Sequence, residues 1–270
     1  MTFDRVPVAL TIAGSDSGGG AGIQADLRTF AFHAVHGTSA LTCVTAQNTL
    51  GVDQVEALPP DAVLAQIDAV VKDMGVDGAK TGMLLNADIM SAVAEAIEQF
   101  GIDRLVVDPV MVSRTGAQLI DDRAIATLID RIIPQAAILT PNRYEAQILA
   151  QQAVNSLDDM KTAAERIHRL GPRAVLIKGG GMQGELRGLD VWFDGDQLEI
   201  LQTETVETPH THGTGCTLSA GTAANLALGK PPLTAVRDAK TYLTRALHHA
   251  LAIGGGQGPV CHFFPLRERD

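Results

Sequence analysis

Glycines, hydroxyl side chains and a cysteine lie together in one segment of the chain, Thr211-His212-Gly213-Thr214-Gly215-Cys216-Thr217. This segment joins a polar loop to an apolar run of small residues, Leu218 to Leu228, which predicts a helix. Gly213 and Gly215 allow a tight turn and a close approach of the backbone to a ligand. Free N–H groups and the positive end of the helix dipole would then point at one place. The pattern predicts an anion site, and phosphate is the common anion at such a site.

Cys216 lies at the mouth of this predicted anion site. The pKa of a thiol at a helix N-terminus falls from about 8.5 to roughly 3.5–7.5, so we expect a lowered pKa for Cys216. A proton acceptor beside a phosphate cradle predicts phosphoryl transfer to a hydroxyl group. On these residues alone, a glycine-rich turn that caps a helix, with Cys216 as a small buried residue, explains the pattern equally well.

The elements that must position this segment alternate along the chain. Short apolar runs rich in β-branched residues alternate with longer amphipathic runs, including a predicted helix over Arg123–Ile133 and a predicted hairpin around Asp194-Gly195-Asp196. This alternation predicts an α/β fold, with a mostly parallel sheet covered on both faces. We find no repeat or linker and expect one domain over residues 1–270. Ligands of such sheets bind beyond the carboxyl ends of the strands. Polar and glycine residues fall at these places: Gly14 to Gly22, Gln47, Asp108, Asn142 and Lys178.

The composition is globular and acidic. The chain has 270 residues, 46% of them hydrophobic, and a formal net charge of −10. An acidic surface argues against nucleic acid or an anionic membrane as the main partner, and no apolar run approaches the ~18 residues that span a bilayer. The three cysteines lie far apart and indicate neither a disulfide framework nor a zinc knuckle. We see no secretory signal at Met1–Arg5 and expect a cytoplasmic enzyme.

Two common nucleotide motifs fit poorly. Gly20-x-Gly22-x-x-Ala25 matches the dinucleotide pattern G-x-G-x-x-G/A, but Thr42–Gln47 lacks the acidic residue expected about 20 residues further on. The Walker A pattern G-x-x-x-x-G-K-[ST] is also absent. If the protein uses ATP, it therefore uses another fold to do so.

Eight motifs follow one another along the chain: Ala13–Leu27, Thr45–Thr49, Lys80–Met83, Val107–Met111, Thr140–Glu145, Lys178–Gly180, His212–Thr217 and Gly258–Val260. In this order they resemble the hydroxymethylpyrimidine/phosphomethylpyrimidine kinases, thiamine-biosynthesis enzymes of the ribokinase-like superfamily. The resemblance covers roughly Val8 to Phe264. It implies a ribokinase-like three-layer αβα sandwich with a mostly parallel central sheet, ATP with Mg²⁺, and a homodimer. It also implies phosphorylation of 4-amino-5-hydroxymethyl-2-methylpyrimidine to its monophosphate and then to the diphosphate.

The resemblance gives the phosphate loop a catalytic role. Cys216 stands where sugar kinases of the superfamily carry an aspartate base, and it would take or position the proton of the substrate CH₂OH. Gly213, Thr214 and Gly215 would supply backbone donors to the transferring phosphoryl group. Thr211 is expected to contact ATP.

The resemblance assigns four further positions to ATP and Mg²⁺. Lys178 and Asn142 are expected to bind ATP. The Asn142-x-x-Glu145 element would organise Mg²⁺, with Asp108 as a second carboxylate near the metal; one or two carboxylates suit this ion. From spacing alone, an asparagine turn with a first-turn glutamate explains Asn142 and Glu145 better.

Gln47 is expected to read the pyrimidine, because a side-chain amide offers both donors and acceptors. By the resemblance, Gly14, Asp26 and Met83 complete this pocket through close backbone approach, a second polar contact and an apolar wall. Val112–Gly116 resembles a mobile flap, in which Arg114 would meet the phosphate of the monophosphate substrate.

Other residues receive no role at this stage. His210 and His212 are interpreted as loop residues, and Lys240 on the last long helix is not assigned to the site.

Three alternatives stay open. Pyridoxal kinases of the same superfamily share the glycine loops and can share the cysteine, although Val110–Gly116 lacks the second cysteine that such enzymes tend to carry. A hydroxyethylthiazole kinase is the second alternative, but such an enzyme would lack the sequence that surrounds Gln47 here. A binding protein that keeps the fold without turnover is the third, and the intact set of Asn142, Glu145 and Cys216 argues against it.

Overall fold

The computed structural model describes residues 5–111 and 118–268. Its strands form one sheet in the order β3-β2-β1-β4-β5-β6-β7-β8-β9. The strands are Val8–Asp16 (β1), His36–Gln47 (β2), Val52–Ala57 (β3), Gly78–Thr81 (β4), Leu105–Val107 (β5), Ile138–Leu139 (β6), Val175–Ile177 (β7), Asp190–Phe193 (β8) and Leu198–Leu201 (β9). The central pairings from β2 to β7 are parallel, whereas β3, β8 and β9 join antiparallel at the edges.

Helices cover both faces of this sheet. They are Gly22–Phe32 (α1), Pro60–Met74 (α2), Ala87–Phe100 (α3), Asp122–Thr127 (α4), Arg143–Ala150 (α5), Leu157–His168 (α6), Thr214–Ala227 (α7), Pro232–His248 (α8) and Phe264–Arg267 (α9). One apolar core lies under α2 to α6, and a second lies under α1, α7 and α8. The arrangement is the expected three-layer αβα sandwich. No helix within the described ranges has the length and apolarity that crossing a bilayer requires.

Helix α7 is the central helix of its layer. Residues Thr217–Ala227 are all buried, because both α1 and α8 pack against them. Small side chains allow this packing: a Cβ at Gly221 would lie 3.1 Å from the Cβ of Ala239 in α8. An amphipathic stripe would leave one side polar, whereas a helix that is apolar all round is typical of a buried element. The burial fixes the direction of α7, and its N-terminus points to the carboxyl edge of the sheet.

Most of the predicted elements are confirmed, and the main differences concern a predicted helix and an edge strand. The hairpin of β8 and β9 forms as expected, whereas the helix predicted over Arg123–Ile133 is α-helical only as far as Thr127 and continues as a π-helical turn, Leu128–Ile132. Strand β3 was not predicted. All six of its residues are exposed, so it lacks the buried alternate positions that reveal a strand in a sequence.

The order of the strands creates a crevice at β1. The chain leaves β1 for β2 on one side and later adds β4 on the other, so β1 is a topological switch point. Ligands of open α/β sheets bind beyond the carboxyl ends of strands at such a point. Asp16, Gln47 and Thr81 end β1, β2 and β4 there.

Candidate active site

The phosphate loop is shaped by a glycine in the left-handed region. Gly213 has a φ of +84° and is the N-cap of α7. A Cβ at Gly213 would lie 1.9 Å from the carbonyl oxygen of Gly20, so only glycine fits where the two loops touch. No side chain caps the start of α7 at Gly213, and the N–H of Thr214 lies 3.4 Å from the carbonyl oxygen of Thr211. A helix N-terminus of this kind can bind an anion, and the predicted anion site stays a prediction.

Cys216 lies in the first turn of α7 and is partly exposed. Burial of its sulfur raises the pKa to about 11, although the ammonium of Lys80 and the N–H donated by Gly22 act to lower it. The expectation of a lowered pKa is therefore wrong, because desolvation of the thiolate outweighs the helix N-terminus. The thiol is the resting form of Cys216 near neutral pH.

Lys80 and Asp26 form a buried ion pair beneath this sulfur. The Nζ of Lys80 lies 3.0 Å from Oδ1 of Asp26, and the hydroxyl of Thr11 donates to Oδ2 at 2.7 Å. Both oxygens of Asp26 are engaged and its side chain has no exposure, so the structure places it under the pocket. Direct contact of Asp26 with substrate stays a prediction. No role was predicted for Lys80. The feature that could have drawn attention to it is a lysine within a strand whose other residues are buried and uncharged.

Lys178, Asp108 and Glu145 form a second charged cluster at the ends of β5, β6 and β7. The Nζ of Lys178 lies 2.9 Å from Oδ1 of Asp108. Glu145 is buried, and burial raises its pKa to about 7, with Lys178 lowering it and Asp108 raising it further. Ser219 of α7 donates to Oδ2 of Asp108 at 3.3 Å, which ties the cluster to the helix that carries Cys216.

Asn142 and Glu145 form a complete capping box at the start of α5. The side-chain oxygen of Asn142 accepts the N–H groups of Tyr144 and Glu145, and Oε2 of Glu145 accepts the N–H of Asn142 at 2.8 Å. The structure therefore contains the asparagine turn and first-turn glutamate that the spacing alone predicts. This capping box does not exclude a role in binding ATP or Mg²⁺, because Asn142 also forms a β-bridge with Lys178 and lies beside the charged cluster.

Asp108 and Glu145 suit Mg²⁺ only as additional ligands of an ion that phosphate oxygens and water already bind. Within residues 5–111 and 118–268, no three side chains of His, Cys, Asp or Glu cluster closely enough to hold a metal by themselves. The two oxygens of Asp108 contact Lys178 and Ser219, and those of Glu145 accept the N–H groups of Met111 and Asn142. Mg²⁺ that is bound to phosphate oxygens keeps several waters and needs only one or two carboxylates. The residues fit an ion that arrives with a nucleotide.

The residues predicted to line the substrate pocket lie near the switch point. A Cβ at Gly14 would lie 2.6 Å from Sγ of Cys43 and 3.0 Å from Cε of Met83, so the backbone at Gly14 packs directly on Met83. Gln47 is half-buried at the end of β2, the strand next to β1. The structure therefore packs Gly14 on Met83 and places Gln47 on the neighbouring strand, and their joint contact with a substrate stays a prediction.

Asp16 organises the glycine-rich loop and was not predicted. Its carboxylate accepts the N–H groups of Gly18, Gly20 and Ala21, and Nε2 of His212 donates to Oδ2 at 2.9 Å. Burial acts to raise the pKa of Asp16, but the bonds from His212 and the backbone outweigh it and lower the pKa. His212 was interpreted as a loop residue, yet it joins the phosphate loop to the substrate loop.

Lys240 is nearly buried and fixes the loop after Lys178. Its Nζ lies 2.6 Å from Oδ2 of Asp190 and 2.6 Å from the carbonyl oxygen of Gly188. The other oxygen of Asp190 accepts the N–H of Gly179 at 2.8 Å. Lys240 and Asp190 thus hold both ends of the segment 179–188. The expected flap at Val112–Gly116, with Arg114, lies outside the described residues.

A family model and several curated relatives match most of the chain. A family model described as phosphomethylpyrimidine kinase matches residues 16–261. A hydroxymethylpyrimidine/phosphomethylpyrimidine kinase of Synechococcus elongatus is 62% identical over 261 residues, which are 97% of this chain and 99% of the relative. The enzyme of the same description from Bacillus subtilis is 46% identical over 94% of each chain.

Solved structures confirm the ribokinase-like fold class. A pyridoxal kinase of Bacillus subtilis in complex with ADP superposes with a TM-score of 0.90 at 39% identity, over 96% of this chain and 98% of that one. A phosphomethylpyrimidine kinase of Clostridium difficile superposes with a TM-score of 0.81 at 40% identity, over 90% and 100% of the two chains.

Proposed function

The chain belongs to the phosphomethylpyrimidine kinase family and is a phosphotransferase, and from this premise we propose the reaction and the role of each site residue. The protein transfers a phosphoryl group from ATP to the hydroxymethyl group of 4-amino-5-hydroxymethyl-2-methylpyrimidine. It then transfers a second group to the resulting monophosphate and forms the diphosphate. Both steps belong to thiamine biosynthesis.

One observation carries this proposal: the phosphate loop and the glycine-rich substrate loop touch at Gly213 and Gly20. The N–H of Gly22, at the start of α1, acts to lower the pKa of Cys216 in the first turn of α7. The N-termini of two helices therefore lie near one sulfur. A hydroxyl group held near Gln47 and Gly14 lies on the same crevice as a phosphoryl group held by α7.

The residues of the phosphate loop act mainly by positioning and charge stabilisation, which dominate phosphoryl transfer. Gly213, Thr214 and Gly215 direct backbone N–H groups at the transferring phosphoryl group. Cys216 places the acceptor hydroxyl through its sulfur. Because the resting form is a thiol, Cys216 must first release its own proton to solvent; the thiolate then accepts the proton of the hydroxyl as the phosphoryl group is transferred.

Lys178, Asn142 and Thr211 bind the phosphates of ATP, and Asp108 and Glu145 hold Mg²⁺ through water or directly. The ion supplies neutralising charge to the phosphate oxygens when it is bound. Lys178 lies between the two carboxylates and the first turn of α7: a Cβ at Gly215 would lie 3.5 Å from its Nζ. Its ammonium is therefore close enough to contact a phosphate held at the first turn of α7.

The exposed edge of the sheet supports the expected homodimer. Val44, Leu50, Val52 and Val55 lie on or beside β2 and β3, and each is at least 42% exposed. Exposed apolar side chains along this edge favour association with another copy of the chain. The single domain and the cytoplasmic location stay predictions.

The test is an ADP-release assay with ATP and Mg²⁺. The pyrimidine alcohol, its monophosphate, pyridoxal and hydroxyethylthiazole are offered in parallel. We expect turnover of the first two and a loss of about 10²- to 10⁴-fold in kcat for Cys216→Ala. Turnover of pyridoxal alone would assign the chain to the alternative function, that of a pyridoxal kinase. The superposition with the Bacillus subtilis pyridoxal kinase makes this the specific alternative to test.

A further inference from the structure

The side-chain amide of Gln47 lies between two hydrogen-bonding neighbours. Its Oε1 is 3.1 Å from Oγ1 of Thr45, and its Nε2 is 3.5 Å from Nε2 of His212. The oxygen and the nitrogen of an amide have the same shape, so the protons of the neighbours decide which atom faces which neighbour.

Thr45 and His212 each donate their proton to another acceptor. Thr45 has one hydroxyl proton, and the carbonyl oxygen of Ser15, which can only accept, lies 2.8 Å from Oγ1. The atom of Gln47 that contacts Thr45 must then be a donor. His212 donates its Nε2 proton to Asp16, whose lowered pKa keeps it a carboxylate, so the atom of Gln47 that faces His212 must be an acceptor.

We infer that Thr45 and His212 lock the Gln47 amide in one orientation, with its nitrogen on Thr45 and its oxygen facing His212, so that the two atoms exchange the places given above. This inference rests on the proposed function and makes Thr45 and His212 positioning residues for substrate specificity. His212 is itself held firmly, because its backbone pairs with Gly258 and Val260 and its ring bonds to Asp16. Thr45 is buried in β2.

A locked amide distinguishes an aminopyrimidine from the corresponding pyrimidinone. A 4-amino ring presents a donor beside an acceptor nitrogen, whereas a 4-oxo ring presents an acceptor beside an N–H donor. The ring cannot turn over to compensate, because its hydroxymethyl group must face the phosphate loop. Pairing with the 4-oxo ring would require the amide of Gln47 to reverse. It would then lose its bond to Thr45 and direct an N–H at His212.

The experiment compares kcat/KM for 4-amino-5-hydroxymethyl-2-methylpyrimidine and for its 4-oxo analogue. We expect Thr45→Val, which keeps the shape and removes the hydroxyl, to reduce the preference for the amino compound by at least about 10-fold. Thr45→Ser keeps the hydroxyl and should retain the preference within about 2-fold. His212→Leu should reduce the preference, and His212→Gln, which keeps a donor, should restore part of it. KM for ATP should stay unchanged in the Thr45 variants.

A second measurement is independent of turnover. The side-chain NH₂ resonances of Gln47 are assigned in ¹⁵N-labelled protein by their loss in Gln47→Met. One of the two protons should shift in Thr45→Val and keep its position in Thr45→Ser. An unchanged substrate preference and unchanged resonances in a folded Thr45→Val variant would overturn the lock. If wild-type protein phosphorylates no pyrimidine, the proposed function fails, and the resonances still decide the orientation of the amide.

Discussion

Lys80 and Asp26 form an ion pair in which neither side chain has any exposure to solvent. The Nζ and Oδ1 atoms are 3.0 Å apart, and Thr11 occupies the remaining carboxylate oxygen. Lys80 also acts on the sulfur of Cys216, whose pKa it lowers against the effect of burial. The pair therefore connects the stability of the fold with the charge of the phosphate loop.

We expect Lys80→Met to lower the free energy of unfolding by about 3–5 kcal/mol, because it leaves the Asp26 charge buried without a partner. Urea denaturation followed by circular dichroism measures the change. The double variant Lys80→Met/Asp26→Leu should regain part of the loss, since it removes both charges.

The exposed pair Lys72 and Asp68 provides the control, because Lys72→Met removes the same kind of ion pair at the surface. Its effect should stay below about 1 kcal/mol. A Lys80→Met variant that is no less stable than Lys72→Met would show that the buried pair does not hold β4 and α1 together.

The alkylation rate of Cys216 should rise steadily with pH. With a pKa of about 11, only about one thiol in ten thousand is ionised at pH 7. The rate with iodoacetamide should therefore increase about tenfold for each pH unit from 7 to 10, since the thiolate is the nucleophile. The measurement uses a Cys43→Ala/Cys261→Ala background and mass spectrometry of the Cys216 peptide. A rate that already levels off near pH 7 would contradict the raised pKa and restore the thiolate expected from the sequence.

Gly213→Ala should abolish phosphoryl transfer and reduce stability, because the new Cβ would lie 1.9 Å from the carbonyl oxygen of Gly20. Gly229→Ala is a matched control: its φ of +79° is similar, but no atom lies within 4 Å of the added Cβ. It should cost only about 1 kcal/mol of backbone strain and leave kcat near the wild-type value. Equal loss of activity in both variants would mean that strain alone, and not the contact between the two loops, explains the requirement for glycine.

The sequence predicted the fold well where local patterns are strong. Helix α3 and the β8–β9 hairpin follow directly from apolar periodicity and turn residues, and the glycine loops identified the carboxyl edge of the sheet. Strand β3 was missed because its position depends on pairing with β2, and all of its residues are exposed.

The electrostatics of the site could not be predicted in the same way. The pKa of Cys216 depends on how deeply its sulfur is buried, which a helix N-terminus in a sequence does not reveal. Asp16 and His212 are 196 positions apart, and nothing local indicates that they meet. The partners of Lys80 and Lys240 also come from distant segments of the chain.

Glu145 should make the protein less stable as pH rises from about 4.5 to 7. Burial raises its pKa from 4.5 to about 7, so in this range the folded chain holds a proton that the unfolded chain has lost. The folded state is then favoured below this range, and the advantage disappears as pH passes the folded-state pKa. Glu145→Gln mimics the protonated form and removes the dependence. The free energy of unfolding of the variant, minus that of the wild type, should increase by at most about 1.4 kcal/mol per pH unit across the range.

Urea denaturation at half-unit steps of pH measures this difference, with Glu98→Gln on the exposed surface of α3 as the control for loss of one carboxylate. A difference between Glu145→Gln and wild type that stays constant with pH would show that Glu145 is ionised throughout the range. Its charge would then be compensated by Lys178, and the cluster would already be arranged for a cation before any nucleotide binds. A difference that grows toward pH 7 would instead mean that a cation arriving with the nucleotide must supply the positive charge that ionises Glu145.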